Sequence, residues 1–99
     1  MTTQAESKLS REIMDALRLD GHFCFKVHGS EHMMAGLPDI IVCAQGRFIG
    51  LETKLPGKRH ETSVKQDRVH DQIRDAYGVA QVVCSVREAR DVVARTLAA

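Results

Sequence analysis

The sequence predicts an α/β domain whose helices and strands follow one another in the order α-β-β-β-α-β-α. Three segments carry apolar residues at helical spacing, and four shorter segments are rich in β-branched or aromatic residues. Glycine or proline separates most of these segments. The chain has 99 residues, of which 43% are hydrophobic and 4% aromatic, so it has the size of one small domain with an aliphatic core. We therefore expect residues 1–99 to form a single domain.

The first helix is predicted over residues 5–19, whose apolar side chains repeat at helical spacing, and it ends at Asp20 and Gly21. A half-buried strand is expected next, over residues 22–28, because two kinds of side chain alternate there. One face of that strand carries Phe23, Phe25 and Val27, and the other carries Cys24, Lys26 and His28.

The second and third strands are predicted to form a hairpin. Ile40–Ala44 and Phe48–Leu51 are apolar runs, and the Gln-Gly pair between them favours a tight turn. In the loop before the hairpin, Gly36 is expected to let the backbone approach closely, just ahead of the fixed φ of Pro38.

Three charged side chains lie at the ends of this hairpin. The start of one antiparallel strand lies beside the end of its partner, so Asp39 is expected to approach Glu52 and Lys54. Glu52 and Lys54 are two residues apart, and the pleat of a strand therefore turns both to one face. Two carboxylates so close together repel each other, and a divalent cation would offset that repulsion.

The donor atoms of this cluster indicate which cation it would take. Carboxylate oxygens, with the carbonyl oxygen of Thr53 as a further candidate, suit Mg²⁺ or Mn²⁺. Because Mg²⁺ keeps several waters and recruits phosphate oxygens, a site with two carboxylates indicates phosphate chemistry. The alternative is a surface hairpin with solvated charges, in which Glu52 and Lys54 form an ion pair on one face.

A polar loop with a Pro-Gly turn follows the hairpin. Its Lys58, Arg59 and His60 are candidates for contacts with a phosphate backbone, and an ordinary polar loop is the alternative. A second helix is predicted to begin at Thr62 or Ser63 and to end before Gly78. A buried strand over residues 79–85 and a helix over residues 86–97 complete the order.

Composition excludes several classes of protein. A membrane span needs about 18 consecutive apolar residues, which the sequence lacks, and the polar N-terminus has no apolar signal-peptide core. A soluble cytoplasmic protein is expected, in the host cytoplasm if the chain is phage-encoded. The three cysteines, Cys24, Cys43 and Cys84, lie in apolar runs without a CxxC pair, so buried free thiols are expected. The net charge of +1 indicates no general attraction to nucleic acid.

The order of these motifs resembles a known family. Gly-Leu-Pro-Asp ends at Asp39, Glu-Thr-Lys ends at Lys54, and Gln66 follows a dozen residues later. This arrangement resembles the VRR-Nuc family of the PD-(D/E)XK nuclease superfamily, from about Glu6 to Arg87. The resemblance implies a restriction-endonuclease-like αβββαβ core with a central mixed sheet flanked by helices, to which this chain adds a C-terminal helix.

The same resemblance implies an activity and a role for each motif residue. The chain would be a Mg²⁺-dependent, structure-selective DNA endonuclease that hydrolyses phosphodiester bonds, with Mn²⁺ as a substitute and Holliday-junction resolution among the expected activities. Asp39 and Glu52, assisted by Thr53, would hold the metal. Lys54 would position the attacking water and stabilise developing charge, and Gln66 would orient the site. The alternative for Gln66 is a purely structural role at the start of its helix.

A glutamate on the first helix often joins the active site in this family. Glu6 lies in the middle of the apolar stripe of the helix, whereas Glu12 lies to one side of it. The resemblance therefore favours Glu6 as a catalytic residue or a ligand of a second metal ion, although the choice between Glu6 and Glu12 stays open. The alternative for Glu6 is stabilisation of the helix N-terminus through the macrodipole.

The resemblance and the basic residues also predict the partners of the chain. Candidate DNA-binding residues are Lys26, Lys58, Arg59, His60 and Lys65. Stand-alone members of the family resemble Holliday-junction resolvases, and symmetric cutting of a junction needs two sites related by a two-fold axis, so a homodimer is expected. Two rival functions use the same fold: a catalytically silent DNA-binding module and a protein-interaction module.

Overall fold

A computed structural model describes residues 3–99 and confirms the predicted order of elements. The helices are α1 (Gln4–Leu19), α2 (Val64–Asp75) and α3 (Val86–Ala98). The strands are β1 (Phe23–Lys26), β2 (Ile40–Ala44), β3 (Arg47–Thr53) and β4 (Val79–Val83). In the part of the chain that the structure describes, no helix is both long and apolar enough to cross a membrane.

The strands form a mixed sheet in the order β1-β2-β3-β4. β2 is antiparallel to both β1 and β3, and β4 is parallel to β3, with α2 as the crossover between them. The β2–β3 turn has positive φ at both central residues, 50° at Gln45 and 79° at Gly46. Positive φ at both positions is the signature of a type I′ turn, whose twist matches that of the strands it joins.

The hydrophobic core lies between one face of the sheet and the pair α1 and α3. Apolar residues from that face of β1, β2 and β3 (Cys24, Ile40, Val42, Ile49 and Leu51) belong to the core. The inner faces of the two helices supply the opposing layer, with Ile13, Met14 and Leu17 from α1 and Ala89, Val92 and Val93 from α3. The predicted apolar stripes of these helices are thereby confirmed.

The opposite face of the sheet is only partly covered, because α2 packs there over β3 and β4. Phe23, Cys43 and Phe48 are paired side by side across the three antiparallel strands, and all are exposed. We call these three residues and Phe25 the aromatic face; Phe23 is 66% and Phe48 47% exposed. β1 is thus half-buried, with its Cys24 side against the core and its aromatic side open. The prediction that Cys43 is buried is wrong, because its strand position places it on the uncovered face.

Gly36 fixes the start of α2 against the loop that precedes β2. Its φ is +89°, and a Cβ built there would lie 2.4 Å from the carbonyl oxygen of Lys65. A non-glycine residue would therefore clash with backbone and adopt a disfavoured conformation. The predicted close approach of the backbone at Gly36 is confirmed, and the segment that it approaches is the first turn of α2.

Candidate active site

Asp39 and Glu52 meet at the end of the hairpin. Ile40 pairs with Leu51, so the next residues outward, Asp39 and Glu52, lie opposite each other across β2 and β3. Asp39 Oδ2 accepts a hydrogen bond from the backbone N–H of Thr53 at 2.9 Å, which fixes its carboxylate beside the end of β3. Glu52 is only 2% exposed.

The environment of Glu52 opposes its ionisation. Burial, followed by the negative charge of the neighbouring Asp39, raises the pKa of Glu52 from 4.5 to about 8. The charges of Lys54 and Lys26 lower this pKa but do not cancel the rise. At neutral pH the metal-free pair therefore holds a proton that a bound cation would displace.

Lys54 lies on the same face of the sheet as Glu52. Its ammonium nitrogen is 4.0 Å from Glu52 Oε2, and its side chain is only 16% exposed. The backbone N–H of Lys54 donates to the carbonyl of Val83 at 3.1 Å, so β4 holds the end of β3 in place. Thr53, between the two charged residues, is fully buried and holds Asp39 through its amide.

Gln66 caps the N-terminus of α2 and also contacts Glu52. Its Oε1 accepts from the backbone N–H of Ser63 at 2.9 Å, which completes a capping box at the start of α2. Its Nε2 donates to Glu52 Oε2 at 3.2 Å. An amide side chain offers both a donor and an acceptor, so one residue serves both contacts. One side chain therefore both caps α2 and contacts Glu52, while its role in catalysis stays a prediction.

Lys26 and His70 lie near Glu52, and Ser10 contacts Lys26. Lys26 Nζ donates to the hydroxyl of Ser10 at 3.2 Å, and Ser10 is buried on α1. His70 on α2 is 3% exposed, and its Nε2 lies 4.0 Å from Glu52 Oε1. Ser10 and His70 are polar residues on otherwise apolar helix faces, and that departure from the pattern is the sequence signal that could have found them.

The two candidate acids of α1 differ in their surroundings. Glu6 is one turn before Ser10, and its carboxylate accepts from the Thr3 hydroxyl at 3.5 Å. Glu12 is exposed and forms an ion pair with Lys8 at 3.9 Å. Among residues 3–99, no hydrogen bond or ion pair joins either acid to Asp39 or Lys54.

The basic candidates also separate into two groups. Arg59 is engaged in contacts within the protein. Its guanidinium lies 2.6 Å from Glu88 and 3.4 Å from the carbonyl oxygen of Val82. The other members of the loop and of the start of α2 (Lys58, His60 and Lys65) are exposed. The exposed group can reach a ligand without breaking an ion pair of the fold.

The donor atoms present fit a hard divalent cation. In the described part of the chain, no three His, Cys, Asp or Glu residues are grouped as metal ligands. Asp39 and Glu52 instead offer two carboxylates, and the buried Oε1 of Glu52 has no hydrogen-bond partner among residues 3–99. A pair of carboxylates suits Mg²⁺ or Mn²⁺, because these ions complete their shells with water and phosphate oxygens.

The raised pKa of Glu52 predicts how stability depends on pH. Between its unfolded value of 4.5 and its folded value of about 8, the metal-free native state holds a proton that the unfolded chain has lost. The unfolding free energy of the wild type relative to Glu52→Gln should therefore fall as pH rises through this window. Urea unfolding at pH 5 and pH 8.5, with chelator present, measures the difference. Glu61→Gln, on the exposed loop, is the control, and an equal difference at both pH values would refute the assignment.

No family model matches the chain, and no curated protein matches it either. A solved structure described as "VRR_NUC domain" superimposes on the chain with a TM-score of 0.70. The two sequences are 21% identical, and the match covers 92% of this chain and 96% of the other. The chain therefore shares its whole fold with that domain, and the predicted restriction-endonuclease-like fold is confirmed.

Proposed function

Since this chain has the fold of a VRR_NUC domain, we propose that it is a divalent-metal-dependent DNA endonuclease acting on branched or otherwise structured DNA. The observation that supports this most is the meeting of Asp39, Glu52 and Lys54 at one end of the hairpin. A buried carboxylate with a pKa near 8 is unfavourable as a structural element, whereas it suits a site that gains a cation.

Asp39 and Glu52 would hold Mg²⁺ or Mn²⁺, with the carbonyl of Thr53 as a further donor. When bound, the ion would polarise the scissile phosphate and lower the pKa of a water molecule. The backbone N–H of Thr53 holds the carboxylate of Asp39 in place, and the side-chain amide of Gln66 holds Glu52 Oε2 in place.

Lys54 would act on the reacting phosphate directly. Its ammonium is held next to Glu52 Oε2 in a mostly buried position, so it is poorly screened by water. There it would position the attacking water and stabilise negative charge as that charge grows on the phosphate. Lys26, which donates to Ser10, would add positive charge near Glu52.

DNA would be held through its phosphates. The exposed Lys58, His60 and Lys65 follow the Lys54 strand end in the chain and would contact the backbone around the cleaved bond. Arg59, a candidate from the sequence, is not proposed to contact DNA, because its guanidinium already forms an ion pair with Glu88. Glu6 is retained only as a candidate for holding water or a second ion near Ser10.

A panel of labelled substrates tests this function. Duplex, flap, splayed-arm and four-way-junction DNA should be incubated with Mg²⁺ or Mn²⁺, and with Ca²⁺ for binding without cleavage. We expect cleavage of at least one branched substrate. Salt-dependent binding without cleavage would favour a silent DNA-binding module, and no DNA binding at all would favour a protein-interaction module.

A homodimer is part of this proposal, with the aromatic face as its interface. Large exposed apolar patches on a small domain mark interaction surfaces, and two copies would supply the paired sites that symmetric cutting needs. We expect a dimer by light scattering and a shift to monomer in Phe48→Lys. Leu19→Lys removes another exposed apolar side chain, outside the aromatic face, and should leave the dimer intact. A monomeric wild type at working concentration would exclude this arrangement.

A further inference from the structure

His70 is a buried imidazole that faces the candidate metal ligand Glu52. It belongs to α2 and follows Gln66 by one turn, so both side chains reach Glu52 from the same helix. His70 Nε2 and Glu52 Oε1 are 4.0 Å apart, and both atoms are buried without a hydrogen-bond partner among the described residues.

Packing alone does not explain a histidine at this position. A buried polar atom without a partner is destabilising, and an apolar side chain would avoid that cost. The neighbouring Val69 and Ile73 show that this face of α2 otherwise carries apolar residues. Burial and the charge of Arg74 lower the pKa of His70, which favours the neutral imidazole. A neutral imidazole still carries one N–H donor.

The two oxygens of Glu52 are unequally supported. Oε2 accepts from Gln66 and lies near Lys54, whereas Oε1 has neither contact. When Glu52 is ionised and holds a cation, Oε1 needs a donor, and the nearest candidate on the adjoining helix is His70. A shift of about 1 Å would bring the two atoms to hydrogen-bond distance.

We propose that His70 is a positioning residue, whose Nε2–H donates to Glu52 Oε1 and holds the carboxylate plane for metal binding. The inference rests on the proposed metal site and adds to it a residue outside the acid, acid and lysine motif. Partners that orient a metal ligand typically change metal affinity by about 10- to 100-fold when they are removed.

The test compares two isosteric replacements of His70. Glutamine places an amide N–H close to the position of imidazole Nε2, whereas methionine has the same length without a donor. Mn²⁺ affinity, measured by electron paramagnetic resonance at constant pH, should fall by about 10- to 100-fold in His70→Met and stay within about threefold of wild type in His70→Gln. His22→Leu, just before β1 begins, removes an imidazole outside the site and should not change the affinity.

Thermal unfolding of the metal-free variants shows whether each is folded. If His70→Met does not fold, His70→Leu replaces it as the variant without a donor. A folded donor-free variant with wild-type affinity would overturn the inference, and so would equal losses in His70→Met and His70→Gln. Absence of Mn²⁺ binding by the wild type would overturn the metal site itself and this inference with it. The two kinds of failure are therefore distinguishable.

Discussion

Asp39→Ala and Lys54→Ala should each abolish metal-dependent cleavage of DNA while the protein stays folded. Asp39 supplies one of two carboxylates for the cation, and Lys54 supplies a positive charge 4.0 Å from Glu52 Oε2. Removing one electrostatic contributor of this kind typically lowers the rate by about 10²–10³-fold, or 3–4 kcal/mol. Single-turnover cleavage of the best substrate from the panel measures the effect.

The two variants should differ in a second measurement. Asp39→Ala should also weaken Mn²⁺ binding, whereas Lys54→Ala should bind the ion at least as well, because it removes a positive charge beside the ligands. Asp71→Ala and Lys8→Ala remove exposed charges of the same types on α2 and α1, and they are expected to cleave normally. Undiminished cleavage by either site variant, with circular dichroism showing a native fold, would refute the assignment.

Gly36→Ala should cause a large loss of stability. Its new Cβ would lie 2.4 Å from the Lys65 carbonyl oxygen, at a φ of +89°. Backbone atoms cannot yield as a flexible side chain does, so we expect the free energy of unfolding to fall by about 2–4 kcal/mol. Because the clash is with the first turn of α2, any relaxation should also displace Gln66 from Glu52.

Two other glycines separate the causes of this loss. Gly57 has a φ of +87° and open space around its Cβ position, so Gly57→Ala should show only the conformational strain, about 1–2 kcal/mol. Gly29 has open space and no positive φ, and Gly29→Ala should change stability by less than about 0.5 kcal/mol. Urea unfolding of the three variants tests this order. A loss in Gly36→Ala no larger than that in Gly57→Ala would contradict the clash.

The features that could be predicted from the sequence are those set by local pattern. The hairpin has its apolar runs, turn residues and charged ends within 18 residues, so antiparallel geometry alone brings Asp39 to Glu52. The helix starts were equally local, since Ser63 and Gln66 form a capping box three residues apart.

The features that escaped prediction depend on which face of an element meets which neighbour. Alternation shows that β1 has two faces, but not that α1 covers the Cys24 side and leaves Phe23 and Phe25 exposed. Cys43 is exposed for the same reason. Arg59 pairs with Glu88, which lies 29 residues later in the chain, and no local sequence pattern predicts such a contact.

Because α2 is the crossover between β3 and β4, the environment of Glu52 depends on whether this helix is docked on the sheet. Asp39 and Glu52 meet as soon as the hairpin forms, but Gln66 and His70 arrive only when α2 docks on the sheet. Burial is the largest cause of the raised pKa of Glu52, so undocking of α2 would expose the carboxyl group to water and lower that pKa toward 4.5. Retention of the proton by Glu52 and docking of α2 are therefore linked in the metal-free protein.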